Sequence, residues 1–275
     1  VGGTGKTPLT LYLANTLSEA GKRVGIATRG YKGNKSDSTP YILDKNSNAK
    51  DYGDEAVYLS RYSNAIVCVC RERLKAANLL FERGVDVILS DDGLQHFALK
   101  RDLELAVVSS NRAFGNRRLL PAGPLREGLD RLHTLDFICL NGKTIDDDLN
   151  FENTIGFEIA NKTVKNIHNG QIRPIDSFMN DDINLIAGIG DPNVLIQKLI
   201  KLGININHIE VADHEAIDSL EIKNLQNRSL FLTPKDLVKY SKDDLPQETW
   251  ELIPEIMIDQ SQEKVMMKKI LEIIQ

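Results

Sequence analysis

The chain has 275 residues, 41% hydrophobic and 27% charged, with a formal net charge of −5 at pH 7. That length supports a real hydrophobic core without disulfide staples. The mild acidity argues against a general nucleic-acid binder, which carries a basic field, so no nucleic-acid partner is expected. No run approaches the ~18 consecutive apolar residues of a membrane-spanning helix.

The chain opens inside a motif, Val1-Gly2-Gly3-Thr4-Gly5-Lys6-Thr7, with no initiator Met. A preceding segment is therefore expected, where a membrane anchor or a first strand would lie. After Thr7, Leu9, Tyr12, Leu13 and Leu17 form a helical stripe that starts near Pro8 and stops at Gly21. Val24 to Thr28 and Ala65 to Val69 read as buried strands. A helix over about residues 71–83 places Leu74, Ala77 and Phe81 on one face, and residues 85–89 form another strand. Further strands are expected at 103–108 and 137–140. Apolar strands alternating with helices indicate a parallel sheet covered on both faces. Cys68 and Cys70 fall two apart in a strand, as buried small hydrophobes rather than a metal pattern.

Around 154–178 the pattern changes. Two short strands flank Asn169-Gly170, a strong hairpin signal. The alternation then resumes, with strands at 183–187, 204–211 and 230–233, a helix from Pro192 to Leu202, and a last helix over about 263–274. The expected organisation is a core at 1–153, a two-stranded linker at 154–178 and a smaller α/β domain at 179–275.

Gly2, Gly3, Thr4, Gly5, Lys6 and Thr7 carry the strongest chemical signal. Glycines let successive N–H groups turn onto phosphate oxygens, the Lys reaches the β- and γ-phosphates, and the hydroxyl suits Mg²⁺. The helix that follows points its N-terminus at the anion. Asp91-Asp92-Gly93 closes an aliphatic strand, where an acidic residue is the usual second Mg²⁺ partner, although Asp-Gly is also a common turn. Asp54 and Glu55 suit a helix N-terminus, a general base or a metal ligand. His96 lies five residues after Asp91, and His214 follows a strand in Ala212-Asp213-His214-Glu215. Arg112, Arg117, Arg118, Arg126 and Arg131 surround Leu119-Leu120-Pro121-Ala122-Gly123-Pro124-Leu125, opposed only by Glu127 and Asp130. Apolar residues framed by arginine suit an anionic lipid or an acylated phosphate, or else a solvated loop.

These blocks, with Thr28-Arg29-Gly30-Tyr31, Ala187-Gly188-Ile189-Gly190-Asp191-Pro192 and Thr233-Pro234-Lys235-Asp236, occur in one order over positions 1 to 236. The chain resembles the tetraacyldisaccharide 4′-kinase family of lipid A biosynthesis. The resemblance implies a P-loop NTPase-type parallel-sheet domain, a smaller C-terminal α/β domain and a two-stranded β linker. It implies ATP and Mg²⁺, with transfer of the γ-phosphoryl to the 4′-hydroxyl of tetraacyldisaccharide 1-phosphate. It also implies an anchor helix before Val1 and work on the cytosolic face of the inner membrane. By resemblance, Lys6 and the glycines hold phosphates, and Thr7 with Asp91 or Asp92 holds the metal, supported by Glu55 and Glu127. Asp54 is implied as base, paired with His214. Arg71 or Arg73, Arg126, Glu127 and His96 are implied to face substrate and the transferring phosphoryl. Glu215 and Leu94 depart from the family pattern and leave acyl-chain preference open. A P-loop ATPase switch and a soluble small-molecule kinase are the competing readings. The Leu-Pro-Ala-Gly-Pro-Leu-Arg block and the Asp54/His214 pair argue against the switch, which needs no acceptor-activating base. A hydrophobic helix before Val1 would separate the lipid kinase from the soluble one.

Overall fold

A computed structural model describes residues 3–35, 37–111, 113–142, 151–211, 215–225 and 227–274. In chain order the elements are α1 (Lys6–Glu19), β1 (Val24–Thr28), β2 (Tyr41–Ile42), α2 (Ala49–Tyr52), α3 (Asp54–Tyr62), β3 (Ile66–Val69), α4 (Arg73–Glu82), β4 (Val87–Ser90), β5 (Leu105–Ser109) and β6 (Phe137–Asn141). There follow β7 (Thr154–Asn166), β8 (Ile172–Pro174), β9 (Asp182–Ile186), α5 (Pro192–Lys201), β10 (Asn205–Ile209), α6 (Ser219–Lys223), β11 (Ser229–Leu232), α7 (Pro234–Leu237), β12 (Thr249–Ile258) and α8 (Gln260–Ile273).

The strands form two mixed, mostly parallel sheets. One is ordered β2-β3-β1-β4, and the other β10-β9-β11-β12-β7-β6-β5 with β8 paired to β7. This differs from the single parallel sheet expected for the first half, because β5 and β6 join the larger sheet through β7. The edges β4 and β5 still share one core: Val87, Leu89, Leu105 and Val107 pack on the cluster built from Leu9, Leu13, Leu17, Ile26 and Val69. Apolar runs on both sheets are buried by helices, as a parallel arrangement requires.

The Asn169-Gly170 turn closes a β7–β8 hairpin, with Gly170 in the left-handed region at φ 75°. But β7 is 13 residues long, and β12 runs antiparallel along most of it. β12 is absent from the sequence reading because Pro254 interrupts its apolar run, and a proline argues against a central strand. The structure places a register shift between Ile253 and Pro254, so the ring sits at a bulge where no ladder bond is needed.

The expected face of α4 is also corrected. Leu74 is 49% and Phe81 76% exposed, while Arg73, Ala76, Ala77 and Leu80 face inward. Small alanines let the helix lie close on β1, where Leu80 meets Gly25. The last helix starts earlier than expected, because the Asp259 carboxylate accepts from the N–H groups of Ser261 and Gln262.

α8 returns to the first core: Met266 and Ile270 belong to the same cluster as Leu9, Leu13 and Phe157. A separate cluster around Leu185, Leu199, Phe231 and Trp250 lies under β9–β12. Met266→Ala is expected to cost about 2–5 kcal/mol, as for other buried large-to-small changes. Hydrogen exchange should quicken at α1 amides and spare β9 and β11; loss of protection confined to β9 and β11 would contradict this packing.

Candidate active site

The site is built on the start of α1. Its N-cap is Gly5, left-handed at φ 97°, with no capping side chain and no acidic residue in the first turn. The first N–H groups of a helix have no intrahelical acceptor, so they and the macrodipole present an anion site. Asn141, at the C-terminal end of β6, donates from Nδ2 to the Thr4 carbonyl at 3.1 Å and pins the loop. A Cβ on Gly5 would lie 2.8 Å from that same amide, and one on Gly3 would lie 2.7 Å from Gly190 Cα. The loop therefore needs glycine both for its backbone angles and for two close approaches. Gly2 lies outside the described residues.

Lys6 Nζ reaches Asp92 Oδ1 at 3.7 Å, and Arg126 Nη1 holds Asp92 Oδ2 at 2.9 Å. Arg126 also donates to Gln95 Oε1 at 3.0 Å, and Gln95 Nε2 donates to Glu127 Oε1 at 2.7 Å. Arg131 closes the series on Glu127 Oε2 at 3.4 Å. The Asp-Asp-Gly-Leu-Gln-His and Leu-Arg-Glu motifs thus meet side by side, with Lys6 at their apex. Asp92 carries a positive φ of 52°, an uncommon conformation for a non-glycine residue. Burial pushes its carboxyl up, but the Arg126 bond and the Lys6 charge outweigh that and hold it below the usual range.

Asp91 behaves oppositely. It is buried at the end of β4, and burial, reinforced by Glu55 and Asp92, raises its carboxyl to about 7. Its Oδ1 is buried without a hydrogen-bond partner. Of Arg71 and Arg73, either of which could meet the transferring phosphoryl or the substrate, Arg73 is 3% exposed and braces the main chain from beneath. It donates to the Cys70 carbonyl at 2.9 Å and the Asp91 carbonyl at 3.1 Å. An arginine on the inward face of α4, among alanines, is the sequence signal for such a brace. Arg71 is exposed on the loop before α4, and its backbone N–H donates to the Asp37 carbonyl at 2.9 Å. His96 is half-buried beside this cluster, and its pKa is lowered by burial and Arg73, partly opposed by Asp92.

An orphaned, buried carboxylate oxygen beside two other acidic groups fits a divalent cation. Among the described residues no three His, Cys, Asp or Glu side chains gather into a closed metal cage. Mg²⁺ does not need one, because it keeps waters and takes phosphate oxygens alongside one or two carboxylates. Asp91 or Asp92, with Thr7 in the first turn of α1, has the chemistry to hold it.

Asp54 opens α3 and is buried. Its Oδ1 accepts from the Glu55 N–H at 2.8 Å, and its Oδ2 faces Lys239 at 3.8 Å and Lys235 at 3.9 Å. Lys235 also lies 3.4 Å from Glu55 Oε1. The sequence reading quoted Lys235 without a role and passed over Lys239; nothing in local spacing ties either to Asp54, some 180 residues earlier. His214 lies outside the described residues. Glu215 accepts at its carbonyl from Lys239 Nζ at 3.1 Å, so Glu215 itself lies beside the Asp54 cluster.

The match to known proteins agrees with this constellation. The family model for LpxK, tetraacyldisaccharide-1-P 4′-kinase, matches residues 1–274. The chain belongs to the tetraacyldisaccharide 4′-kinase family. A tetraacyldisaccharide 4′-kinase of Aliivibrio fischeri (strain MJ11) is 35% identical over 276 residues, covering 99% of this chain and 81% of that protein. One from Blochmanniella floridana is 38% identical over 281 residues, covering 100% and 82%. A crystal structure of LpxK from Aquifex aeolicus in complex with ATP superposes with a TM-score of 0.75 at 25% identity, over 100% of this chain and 85% of that one. No helix among the described residues of this family member is long and apolar enough to cross a membrane.

The Asp91 environment has a pH signature. Folded Asp91 keeps its proton to about pH 7, whereas the unfolded carboxyl loses it near about pH 4. Between those values the native state binds more protons, so stability falls as pH rises. Asp91→Asn is expected to remove this fall and raise the Tm of the ligand-free protein at about pH 8. Thermal scans across this range check it; a lower Tm for the variant at the alkaline end contradicts the burial account.

Proposed function

We infer that the chain is an ATP-dependent tetraacyldisaccharide 4′-kinase that moves the ATP γ-phosphoryl to the 4′-hydroxyl of tetraacyldisaccharide 1-phosphate, giving lipid IVA. Family membership over residues 1–274 supports the activity. The observation that carries the chemistry is the uncapped α1 N-terminus facing Lys6, Asp91 and Asp92, with the buried Asp54 cluster nearby.

On this reading residues 1–153 form a P-loop NTPase-type core, 154–178 a β linker and 179–275 a smaller lobe. The backbone of Gly2 to Gly5 and Lys6 hold the phosphates. Mg²⁺, when bound by Thr7 and Asp91 or Asp92, neutralises phosphate charge. Phosphoryl transfer asks for positioning and charge neutralisation more than covalent help. Lys6 and Arg126 supply cationic groups on one side. Asp54, paired with His214, takes the proton that the sugar hydroxyl releases. Glu55 and Glu127 support the metal side, and His96 and Arg71 border the substrate.

The Arg-rich segment supports a lipid substrate and work at the cytosolic face of the inner membrane. Leu119 and Leu120 are exposed at its tip, beside exposed Arg117 and Arg118. Backbone bonds between Leu120 and Leu125, and between Gly123 and Leu119, hold this tip in a compact turn. Exposed leucines framed by arginines suit acyl chains next to anionic head groups.

The deciding experiment is ATP-dependent phosphorylation of tetraacyldisaccharide 1-phosphate. Nucleotide turnover with no phosphorylated lipid overturns the reading. Asp54→Ala and His214→Ala are each expected to lower kcat by about 10²–10⁴. The double variant should be little worse than either single one; fully additive losses argue against a coupled pair. Lys6→Ala is expected to lose most of kcat while the protein stays folded, because Lys6 is half-exposed and outside the core.

A further inference from the structure

We propose that Lys239 is a positioning residue for phosphoryl transfer: it fixes the orientation of the Asp54 carboxylate and ties it to the main chain at Glu215. The proposal rests on the kinase reading above. It concerns a residue that acts through Asp54 and does not itself touch substrate.

Lys239 sits one turn beyond Asp236, and its side chain is 4% exposed. An ammonium this deep needs partners for all of its donors. Asp236 Oδ1 takes one at 2.8 Å, and the Glu215 carbonyl takes another at 3.1 Å. The remaining direction is toward Asp54 Oδ2 at 3.8 Å, an ion-pair distance. Asp54 Oδ1 is meanwhile occupied by the Glu55 N–H. The two oxygens of Asp54 are thus told apart: one is turned into its own helix and the other toward α7.

Lys239 is itself held. The other oxygen of Asp236, Oδ2, accepts from the Gly188 N–H at 2.9 Å and from Thr233 Oγ1 at 2.6 Å. A Cβ at Gly188 would fall 2.6 Å from Asp236 Oδ1 and 3.2 Å from Lys239 Nζ, so the main chain must come this close. Two residues on, Gly190 abuts Gly3 of the phosphate loop. One short loop therefore touches the phosphate-binding backbone at one end and the brace of Asp54 at the other. Simple surface ion pairing does not explain a lysine enclosed by Asp236, Gly188, Glu215 and Asp54. A group fixed on three sides is suited to set the angle of the fourth.

The test compares wild type, Lys239→Gln and the charge-neutral pair Asp236→Asn/Lys239→Met, each with and without Asp54→Asn. Readouts are kcat for phosphorylation of tetraacyldisaccharide 1-phosphate, ATP Kd and the circular dichroism spectrum. The expected result is a loss of about tenfold or more in kcat, with ATP Kd within about threefold of wild type. In the Asp54→Asn background the same changes should cost almost nothing further. A folded variant with wild-type kcat overturns the proposal. So does an equal loss with and without Asp54, and so does failure of both variants to fold, which would make Lys239 purely structural. Wild type that makes no phosphorylated lipid condemns the kinase reading instead, an outcome distinct from any of these.

Discussion

The structure depends on one unmet electrostatic demand: the bare N-terminus of α1. Most helices satisfy their first N–H groups with a Ser, Thr or Asp cap. Here the N-cap is Gly5, and the first turn has no acid. The neighbouring side chains leave that demand to an incoming anion. Lys6 adds charge of the same sign, and Asn141 spends its amide on the Thr4 carbonyl rather than on the helix. Asp92 lies within ion-pair reach of Lys6, yet Arg126 holds its other oxygen away. The carboxylates next to the site are thus either clamped, as Asp92 is, or left buried and costly to ionise, as Asp91 is.

Much of this was legible in the sequence, for a physical reason. A phosphate loop is a local device: its glycines, its Lys-Thr and its helix follow one another along the chain, so spacing alone carries the chemistry. The same holds for the Asn169-Gly170 hairpin and for the strand that delivers Asp91. What was not legible depends on contacts between distant segments. β12 hides behind Pro254 because the compensating bulge exists only against β7. The inward face of α4 depends on how closely Ala76 and Ala77 allow it to approach β1, which favours Leu80 over the larger Phe81. Arg73 looks like a free cation in a list of residues and proves to be a buried brace.

Charge follows the same division. A net −5 over the chain conceals an arginine-rich segment whose members do different work. Arg126 and Arg131 organise Asp92 and Glu127 through ion pairs, while Arg117 and Arg118 are exposed beside exposed leucines. Global charge sets solubility and long-range fields, whereas these local pairs set where each carboxylate points, and the Arg126 pair holds the Asp92 carboxyl below its usual range.

The arrangement of Asp54 shows why an enzyme of this kind would divide its site between distant parts of the chain. A site made only from the phosphate loop at residues 3–7 and the carboxylates at 91–92 would be open to idle nucleotide hydrolysis whenever water reached it. The surroundings of Asp54, the proposed base, are completed by residues from the far half: Lys235, Lys239 and the Glu215 carbonyl. The two ion pairs to Asp54 are buried charge interactions, strongly dependent on distance and on the exclusion of water. A small displacement of the loop at Gly188–Gly190 would loosen the Asp54 brace and the contact on Gly3 at the same time. On the kinase reading, one loop therefore links the phosphate-binding backbone to the carboxylate proposed as base. On that reading a shared loop of this kind is suited to couple productive transfer to a filled site.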